Sequence, residues 1–350
     1  MEEKHPLASP SVGDDFQPKS RRVTIRDIAK LLDLSHTTVS RVLNERDAPI
    51  SEATRRRVIE MAQRADYHPN RAARALATGR LHLVTLWSRY LSAPYQMKIV
   101  HQLIHQIKKD GYELVVRGEE ELPQRPLEWS NAMGFGADGV IIFDEPEFPS
   151  TSSPIYGKNM PPIVSMGAYY SVAFDYVGVD LYRGAVKAIQ HLLEIGCQRI
   201  AFLSDSGTWQ REEPRRSAYE TVIRKAQRPL EFIVTPLESR SSARDGIVRY
   251  IQCEGCPDGI FCWNDEMAIG AYRGLCDLGI RIPDEAALIG CDGIEDTEYL
   301  EKPITTIMQP VDEMCALAWE FLKMRMENPS IGQQNRLLQP NLVIRQSSMR

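Results

Sequence analysis

Short apolar segments alternate with longer helical patterns along most of the chain, and this alternation restricts the possible folds more than any other feature. The helical patterns occupy residues 97–109, 181–195, 215–226 and 266–278. The apolar segments have the length of strands and cover residues 83–87, 113–116, 139–143, 163–166, 200–203, 232–235, 259–263 and 288–291. Strands that alternate with helices predict parallel sheets with helices on both faces.

The region from residue 81 to residue 350 is long enough for one large sheet or for two smaller ones. A single sheet of eight or more strands is possible, but a chain of this length favours two doubly wound lobes. Ligands of such α/β folds bind outside the carboxyl ends of the strands. We therefore expect an α/β core with parallel doubly wound sheets and a ligand cleft between its two lobes.

The composition excludes several other classes of protein. Of the 350 residues, 43% are hydrophobic and 25% are charged, which is typical of a globular protein rather than a fibrous or disordered one. The longest apolar runs are only a few residues long, whereas a membrane span needs about 18 or more. Residues 1–22 are polar and proline-bearing, are typical of a disordered tail and lack a secretory signal. The seven cysteines are an odd number, so we expect reduced thiols and a cytoplasmic protein.

The charge is distributed unevenly along the chain. Residues 19–80 contain 14 lysines and arginines against 7 acidic residues, a net charge of +7, whereas residues 81–350 carry −9. A basic module on an acidic body indicates a polyanionic partner. Solvated surface charge alone could produce the same uneven distribution. The residue pattern must therefore decide whether the basic module binds a polyanion.

The basic module has the pattern of three short helices between residues 23 and 68. Thr24 and Asp27 resemble a capping box, Ser35 can cap a second helix and Ser51 a third. On the third helix we expect three side chains to point inward, namely Val58, Ile59 and Ala62. Two short helices joined by a tight turn, with a third behind them, form the helix-turn-helix arrangement.

The second helix of such a unit can lie in the major groove of DNA, where its first residues meet base edges. Here these residues are His36, Thr37 and Arg41. Arg41 can bond guanine bidentately, and Thr37 can bond a base or contact a thymine methyl group. Small polar side chains suited to phosphates surround them: Ser35, Thr38, Ser40 and Asn44. From this pattern alone, a three-helix protein-interaction module remains an alternative.

Four segments of the N-terminal region closely resemble the LacI/GalR family of transcription regulators. They are residues 23–29 (VTIRDIA), 34–44 (LSHTTVSRVLN), 50–58 (ISEATRRRV) and 67–76 (YHPNRAARAL). The resemblance implies a helix-turn-helix domain over residues 23–68 and a hinge helix and linker over residues 69–80. It also implies a two-lobed core like a periplasmic sugar receptor over residues 81–350, which binds an effector and forms a homodimer or a dimer of dimers.

The same resemblance implies contacts with operator DNA at individual positions. His36, Thr37 and Arg41 match the family's base-reading residues, and Leu76 matches the leucine that such proteins wedge into the minor groove. Without the resemblance, Leu76 could equally be a small hydrophobic staple. The complete expected set is Thr24, Ser35, His36, Thr37, Thr38, Ser40, Arg41, Asn44, Asn70, Ala73 and Leu76. One departure is Asp33, which stands in the turn where glycine is common and which tolerates the left-handed conformation.

Weaker resemblances in the core imply an effector site. Arg215 leads the segment RRSAY, Asn264 lies in WNDEMAIG, Asp292 in IGCDG, and Gln309 ends PITTIMQ. An arginine, two amides and a carboxylate suit a polyhydroxylated or otherwise polar small ligand. Tyr95 follows the first strand and could stack on a sugar ring or pack in the core.

Two neighbours of the expected effector residues depart from the family pattern. Cys291 and Gly293 flank Asp292 where the family usually has aromatic and acidic residues, which leaves the identity of the ligand open. Two other candidate sites are weaker still. His101 and His105 could hold a metal but favour a helical surface, and the pair Cys253 and Cys256 has no second CxxC pair at zinc-ribbon spacing.

The sequence contains no Walker loop, no GxGxxG and no GxSxG motif. We therefore expect no cofactor and no enzymatic activity. The chain is interpreted as a sequence-specific DNA-binding transcription regulator, a repressor controlled by a small sugar-like effector, acting as a homodimer in the bacterial cytoplasm with the nucleoid and away from membranes. An enzyme or a solute receptor built on the same core is the alternative.

Overall fold

The computed structural model describes residues 23–43, 49–67, 79–88, 93–118, 136–144, 160–209 and 213–350. The chain divides into two compact units, Met1–Gly79 and Arg80–Arg350. Within the described ranges, none of the helices combines the length and the apolar character that crossing a bilayer requires.

The described part of the first unit contains three helices, α1 (Ile25–Leu32), α2 (His36–Leu43) and α3 (Glu52–Arg64). Helix α1 begins with the expected capping box, in which Thr24 and Asp27 bond each other's backbone amides. It ends at Asp33, whose φ of 53° places it in the left-handed region, as the sequence predicts. The turn between α1 and α2 therefore forms without glycine.

One side of each helix in the first unit faces a common core. Ile28, Val39 and Val58 are fully buried there, one from each helix. Ala62 is also buried, as the sequence predicts, but the prediction for Ile59 is wrong because its side chain is 42% exposed. Successive residues on a helix point about 100° apart, so Val58 and Ile59 do not share the buried face.

The first lobe of the second unit is a parallel sheet of six strands. They are β1 (Leu83–Ser88), β2 (Glu113–Arg117), β3 (Gly139–Phe143), β4 (Ile163–Gly167), β5 (Asp175–Val179) and β11 (Asn335–Leu338), in the order β11-β5-β4-β3-β1-β2. Every pairing in this sheet is parallel. Two helices pack against each other beside it, α4 (Pro94–Lys108) and α10 (Val311–Glu327).

The second lobe has its own six-stranded sheet. Its strands are β6 (Ile200–Asp205), β7 (Glu231–Thr235), β8 (Gly259–Cys262), β9 (Ala287–Asp292), β10 (Thr305–Met308) and β12 (Asn341–Val343), in the order β12-β10-β9-β8-β6-β7. Only β12 runs antiparallel to its neighbour. The helices are α5 (Leu181–Glu194), α6 (Ser206–Trp209), α7 (Pro214–Lys225), α8 (Arg240–Glu254) and α9 (Asp265–Asp277).

The chain crosses between the two lobes three times: from β5 to α5, from β10 to α10, and from β11 to β12.

The prediction of two doubly wound lobes is confirmed, and each of the eight expected strands is present. Four further strands were not predicted, namely β5, β10, β11 and β12. The expected helices also did not include α10 or α8, the latter being polar with only Ala243 and Ile247 fully buried. The pair Cys253 and Cys256 lies at the end of α8 rather than at a helix N-terminus.

Candidate functional site

Helix α2 presents three exposed polar side chains along its outer surface. His36, Thr37 and Arg41 are exposed, while Val39 and Val42 on the opposite side are buried. Thr37 and Arg41 are four residues apart and therefore lie one above the other. An exposed helix with these side chains has the shape and chemistry required for the major groove.

Ser35 and Thr24, two of the expected DNA contacts, form capping hydrogen bonds at the starts of helices. Ser35 Oγ accepts from the Thr38 amide at 3.0 Å and lies 2.8 Å from Thr38 Oγ1. Thr24 Oγ1 donates to Asp27 at 2.7 Å, and Ser40 is half-buried. The expected DNA contacts Asn44, Asn70, Ala73 and Leu76 lie outside the described residues. A DNA role for the whole set therefore stays a prediction.

The second lobe collects polar side chains at one edge of its sheet. Strands β6, β8 and β9 run parallel, and their carboxyl ends carry or precede Asp205, Asn264 and Asp292. Gln309 follows β10, which is parallel to β9. Four of the five expected effector residues therefore come from this lobe: Arg215, Asn264, Asp292 and Gln309.

Arg215 lies in the first turn of α7 and is only 4% exposed. Its Nε donates to Glu213 at 2.6 Å and its Nη1 donates to the carbonyl of Trp263 at 2.9 Å. Its guanidinium carbon lies 4.3 Å from the centre of the Trp263 ring. Burial is the largest single influence and disfavours the charge, but Glu213 and the weaker contributions of Cys291, Tyr169 and Asp292 together keep the pKa of Arg215 above its usual value. Arg215 is thus a fixed cation in the floor of the site.

Asn264 caps helix α9 and also reaches a residue that the sequence did not indicate. Its Oδ1 accepts from the Met267 amide at 2.9 Å, and its Nδ2 donates to Glu238 Oε1 at 2.5 Å. Glu238 follows β7 and is exposed to water. Burial and the neighbouring Asp205 carboxylate raise the pKa of Glu238 to about 8.

Asp292 ends β9 in a conformation that is unusual for a residue with a side chain. Its φ is 121°, and its Oδ1 accepts from Gln309 Nε2 at 2.8 Å. Burial and the nearby Asp265 carboxylate raise the pKa of Asp292 well above its usual value. Gln309 and Asp292 therefore form one hydrogen-bonded pair, as expected for residues of a common site.

Asp265 holds the loop that follows Asp292. Its carboxylate accepts from the amides of Gly293 at 2.7 Å and Ile294 at 2.9 Å, and from Thr306 Oγ1 at 2.7 Å. A Cβ on Gly290 would stand 2.1 Å from Asp265 Oδ1, so only glycine fits there. Asp265 thereby fixes the backbone that positions Asp292, although the sequence did not single it out.

Tyr95, the expected effector residue of the first lobe, packs in the core with its ring 5.9 Å from that of Phe143. It is 5% exposed, and its Oη has no hydrogen-bond partner among the described residues. Burial, Asp292 and Asp144 raise the pKa of Tyr95 in that order. The phenol therefore interacts electrostatically with one carboxylate from each lobe.

Besides Asp265, three further acidic residues near this cluster were not predicted from the sequence: Asp144, Asp205 and Glu238. Asp144 directly follows β3, and Asp205 ends β6. Each lies at or just after the carboxyl end of a parallel strand, and this position was the available signal. Trp263, which lies under the Arg215 guanidinium, ends the strand expected over residues 259–263.

Two family models match the chain. Residues 24–70 match the bacterial regulatory proteins of the lacI family, and residues 189–348 match the periplasmic binding protein-like domain. The chain belongs to the LacI/GalR family. It is therefore a DNA-binding transcription regulator, and its curated relatives are regulators of transcription rather than enzymes.

Relatives of this LacI/GalR chain are similar over nearly their whole length. The probable transcriptional repressor ExuR of Bacillus subtilis is 27% identical over 337 residues, which cover 94% of this chain and 99% of the relative. The ribose operon repressor of Escherichia coli is 28% identical over 331 residues, which cover 93% and 99%. The lac repressor dimer bound to operator and the anti-inducer ONPF shares the fold with a TM-score of 0.79, 22% identity and coverage of 94% of this chain and 100% of that one.

Proposed function

We propose that this regulator is a repressor that binds operator DNA through α2 and changes its operator affinity when a small polar effector enters the cleft of the core. The observation that carries the proposal is the group of Arg215, Asn264, Asp292 and Gln309 at the carboxyl edge of the second sheet, where a hydrogen bond fixes each side chain. A separate N-terminal unit with an exposed reading helix supports the same function.

The donors and acceptors of the cluster suit a polyhydroxylated ligand. Arg215 and the amides donate, while Asp292 and Glu238 accept, which is the complement that sugar hydroxyl groups need. The name of the ribose operon repressor supports a sugar or a related metabolite as the class of effector. The proposed site contains Tyr95, Arg215, Asn264, Asp292 and Gln309, to which we add Glu238.

The proposed DNA contacts are those implied by the family pattern. Arg41 and Thr37 read base edges, His36 lies beside them, and the capped helix starts at Thr24 and Ser35 face phosphates. Leu76 and Ala73 act at the operator centre. The protein works as a homodimer in the bacterial cytoplasm at the nucleoid, because one helix per half-site requires two copies of the chain.

Operator titration tests this function directly. Arg41→Ala should weaken binding by about 1–3 kcal/mol at one base pair and relax the preference there, because a bidentate base contact is lost. Arg56→Ala, which removes an equally exposed arginine from α3, is the matched control and should not change base preference. Equal weakening by Arg41→Ala on operator and on random DNA would make Arg41 a phosphate contact instead.

A further inference from the structure

Trp263 contacts Arg215 in two different ways. Its carbonyl oxygen accepts from Arg215 Nη1 at 2.9 Å, and the centre of its ring lies 4.3 Å from the guanidinium carbon. Trp263 directly follows strand β8 and directly precedes Asn264. A single residue at the carboxyl end of β8 therefore holds the proposed effector arginine through its backbone and through its ring.

The contact between the ring and the guanidinium group attracts a cation to the electron-rich face of an aromatic ring. This attraction is strongest where water is excluded, and Arg215 is only 4% exposed. Glu213 accepts from Nε at 2.6 Å, so the carboxylate, the Trp263 carbonyl and the ring together fix the plane of the guanidinium group. Nη2 takes part in none of these bonds and is the nitrogen that can donate to a ligand.

The indole N–H of Trp263 shows that the ring is not placed for its own hydrogen bond. Trp263 Nε1 is shielded from water and has no acceptor among the described residues. A buried indole N–H usually finds an acceptor, and leaving it without one is unfavourable. The contact of the ring with Arg215 offsets this cost.

Strand register places Trp263 beside Cys291. Strands β8 and β9 are parallel, with Phe261 opposite Ile289. Trp263 and Cys291 each lie two residues beyond this pair, so their side chains are neighbours on the same face of the sheet. The cluster that contains Phe261, Ile289 and Cys291 also packs against the Trp263 ring.

Cys291 reaches the same guanidinium group from the neighbouring strand. Its Sγ lies 3.9 Å from Arg215 Nη1, and its side chain is fully buried. The LacI/GalR pattern usually has an aromatic residue at this position. Because Cys291 is fully enclosed, a larger ring there has room only if the neighbouring Trp263 ring is absent.

We infer that Trp263 is a positioning residue of the effector site, whose ring at the end of β8 orients Arg215 in place of an aromatic residue at position 291. The inference rests on the proposed effector function of Arg215. It deepens that function by adding a residue outside the expected site and by making the identities of residues 263 and 291 depend on each other.

The first experiment weakens the ring face without changing its shape much. Tryptophan with one, two or four ring fluorine atoms is incorporated at position 263 of the full chain, because fluorine withdraws electrons from the ring face. The unfolding equilibrium constant, measured by chemical denaturation, should rise stepwise and reach about tenfold or more with four fluorine atoms. A series without a trend would overturn the inference.

Trp319 provides the matched control for the fluorine series. Its ring lies 5.5 Å from Lys323 Nζ, but the Lys323 side chain is 37% exposed, so its attraction to the ring is weaker. The same series at Trp319 should change the unfolding constant by less than about threefold. Equal trends at the two positions would mean that the effect at Trp263 does not depend on the buried Arg215.

The second experiment moves the ring from one strand to the other. Trp263→Ala removes the ring and Cys291→Tyr overcrowds its surroundings, so each should raise the unfolding constant about tenfold or more. The double variant should return to within about threefold of the natural protein, because the tyrosine then faces Arg215 from β9. Losses that simply add in the double variant would contradict the shared space.

Ligand binding separates orientation of Arg215 from filling of space. Calorimetry on the full chain uses D-ribose, D-glucose, D-galactose and lactose. For a sugar that binds, Trp263→Ala with Cys291→Tyr should recover affinity to within about threefold of the natural protein. Trp263→Ala with Cys291→Met refills the space without a ring face and should stay about tenfold weaker or more. Equal recovery by both double variants would overturn the role of the ring.

The remaining outcomes distinguish this inference from the proposed function. Sugar affinity that ignores the fluorine series, although stability follows it, supports the contact between the ring and Arg215 but overturns Arg215 as an effector contact. The absence of binding by all four sugars at about 10 mM overturns these sugars as effectors. In that case the fluorine series alone decides whether the Trp263 ring holds Arg215, since it needs no ligand.

Discussion

The two lobes of the core differ in how the polar side chains of the candidate site are hydrogen-bonded. In the second lobe the polar groups bond one another: Arg215 bonds Glu213, Asn264 bonds Glu238, and Gln309 bonds Asp292. In the first lobe Tyr95 Oη is buried and bonded to nothing in the described part of the chain. The second lobe is therefore held together without a ligand, whereas under the proposed function the tyrosine of the first lobe would gain a partner only when a ligand joins the lobes. Such an arrangement suits an effector that changes the angle between lobes.

The largest expected effect comes from separating the buried ion pair of the second lobe. Arg215→Met leaves the Glu213 carboxylate buried without its cation, so the free energy of unfolding should fall by about 3–5 kcal/mol. The double variant Arg215→Met with Glu213→Gln removes both charges and should recover most of this loss. Chemical denaturation measures both, and a double variant as unstable as the single one would contradict the ion-pair explanation.

The next effect concerns the loop after Asp292. Asp265→Ala removes the acceptor of the buried Gly293 and Ile294 amides, at about 1–3 kcal/mol for each group left unpaired. Effector affinity should fall as well, because this loop positions Asp292. Asp265→Asn keeps one oxygen for the two amides and should lose clearly less stability. Equal losses in the two variants would show that charge, rather than hydrogen bonding, holds the loop.

A smaller effect of opposite sign is expected in the first lobe. Tyr95→Phe removes a buried hydroxyl group that has no partner in the described structure, so the free energy of unfolding should rise by about 1 kcal/mol. Effector affinity should nevertheless fall about fivefold, because the ligand loses a bond. Denaturation and calorimetry on the same variant separate the two changes. A destabilised Tyr95→Phe would remove the contrast between the lobes.

The smallest expected effect is a pH dependence at Glu238. Its pKa is raised to about 8 in the folded chain, so its proton stabilises the fold fully below pH 4.5, and this stabilisation is lost as the pH rises towards 8. The glutamine variant does not titrate. The stability of the natural protein relative to Glu238→Gln should therefore decline between pH 4.5 and 8 and stay constant above this window. A difference that rises with pH would mean that Glu238 is stabilised as a carboxylate.

Local patterns in the sequence were sufficient to predict most secondary structure. The capping box at Thr24, the left-handed turn at Asp33 and the amphipathic helices depend on residues within one or two turns of each other. Strands such as β3, with five buried apolar residues in succession, can likewise be predicted from the local sequence. Strands β11 and β12 lack this signal, because they are only four and three residues long, with three exposed residues in β11 and none fully buried in β12. Pairing with β5 and β10 defines them.

Some features of the candidate site could be predicted from local sequence, and others could not. The residue types of Arg215, Asn264 and Asp292 and the order of their segments were readable in the chain, because these segments have recognisable local patterns. The bond from Asn264 to Glu238 and the burial of Tyr95 against Phe143 were decided only by the tertiary structure. The physical reason is that parallel strands far apart in sequence end at one edge of a sheet, and only their spatial order determines which loops meet there.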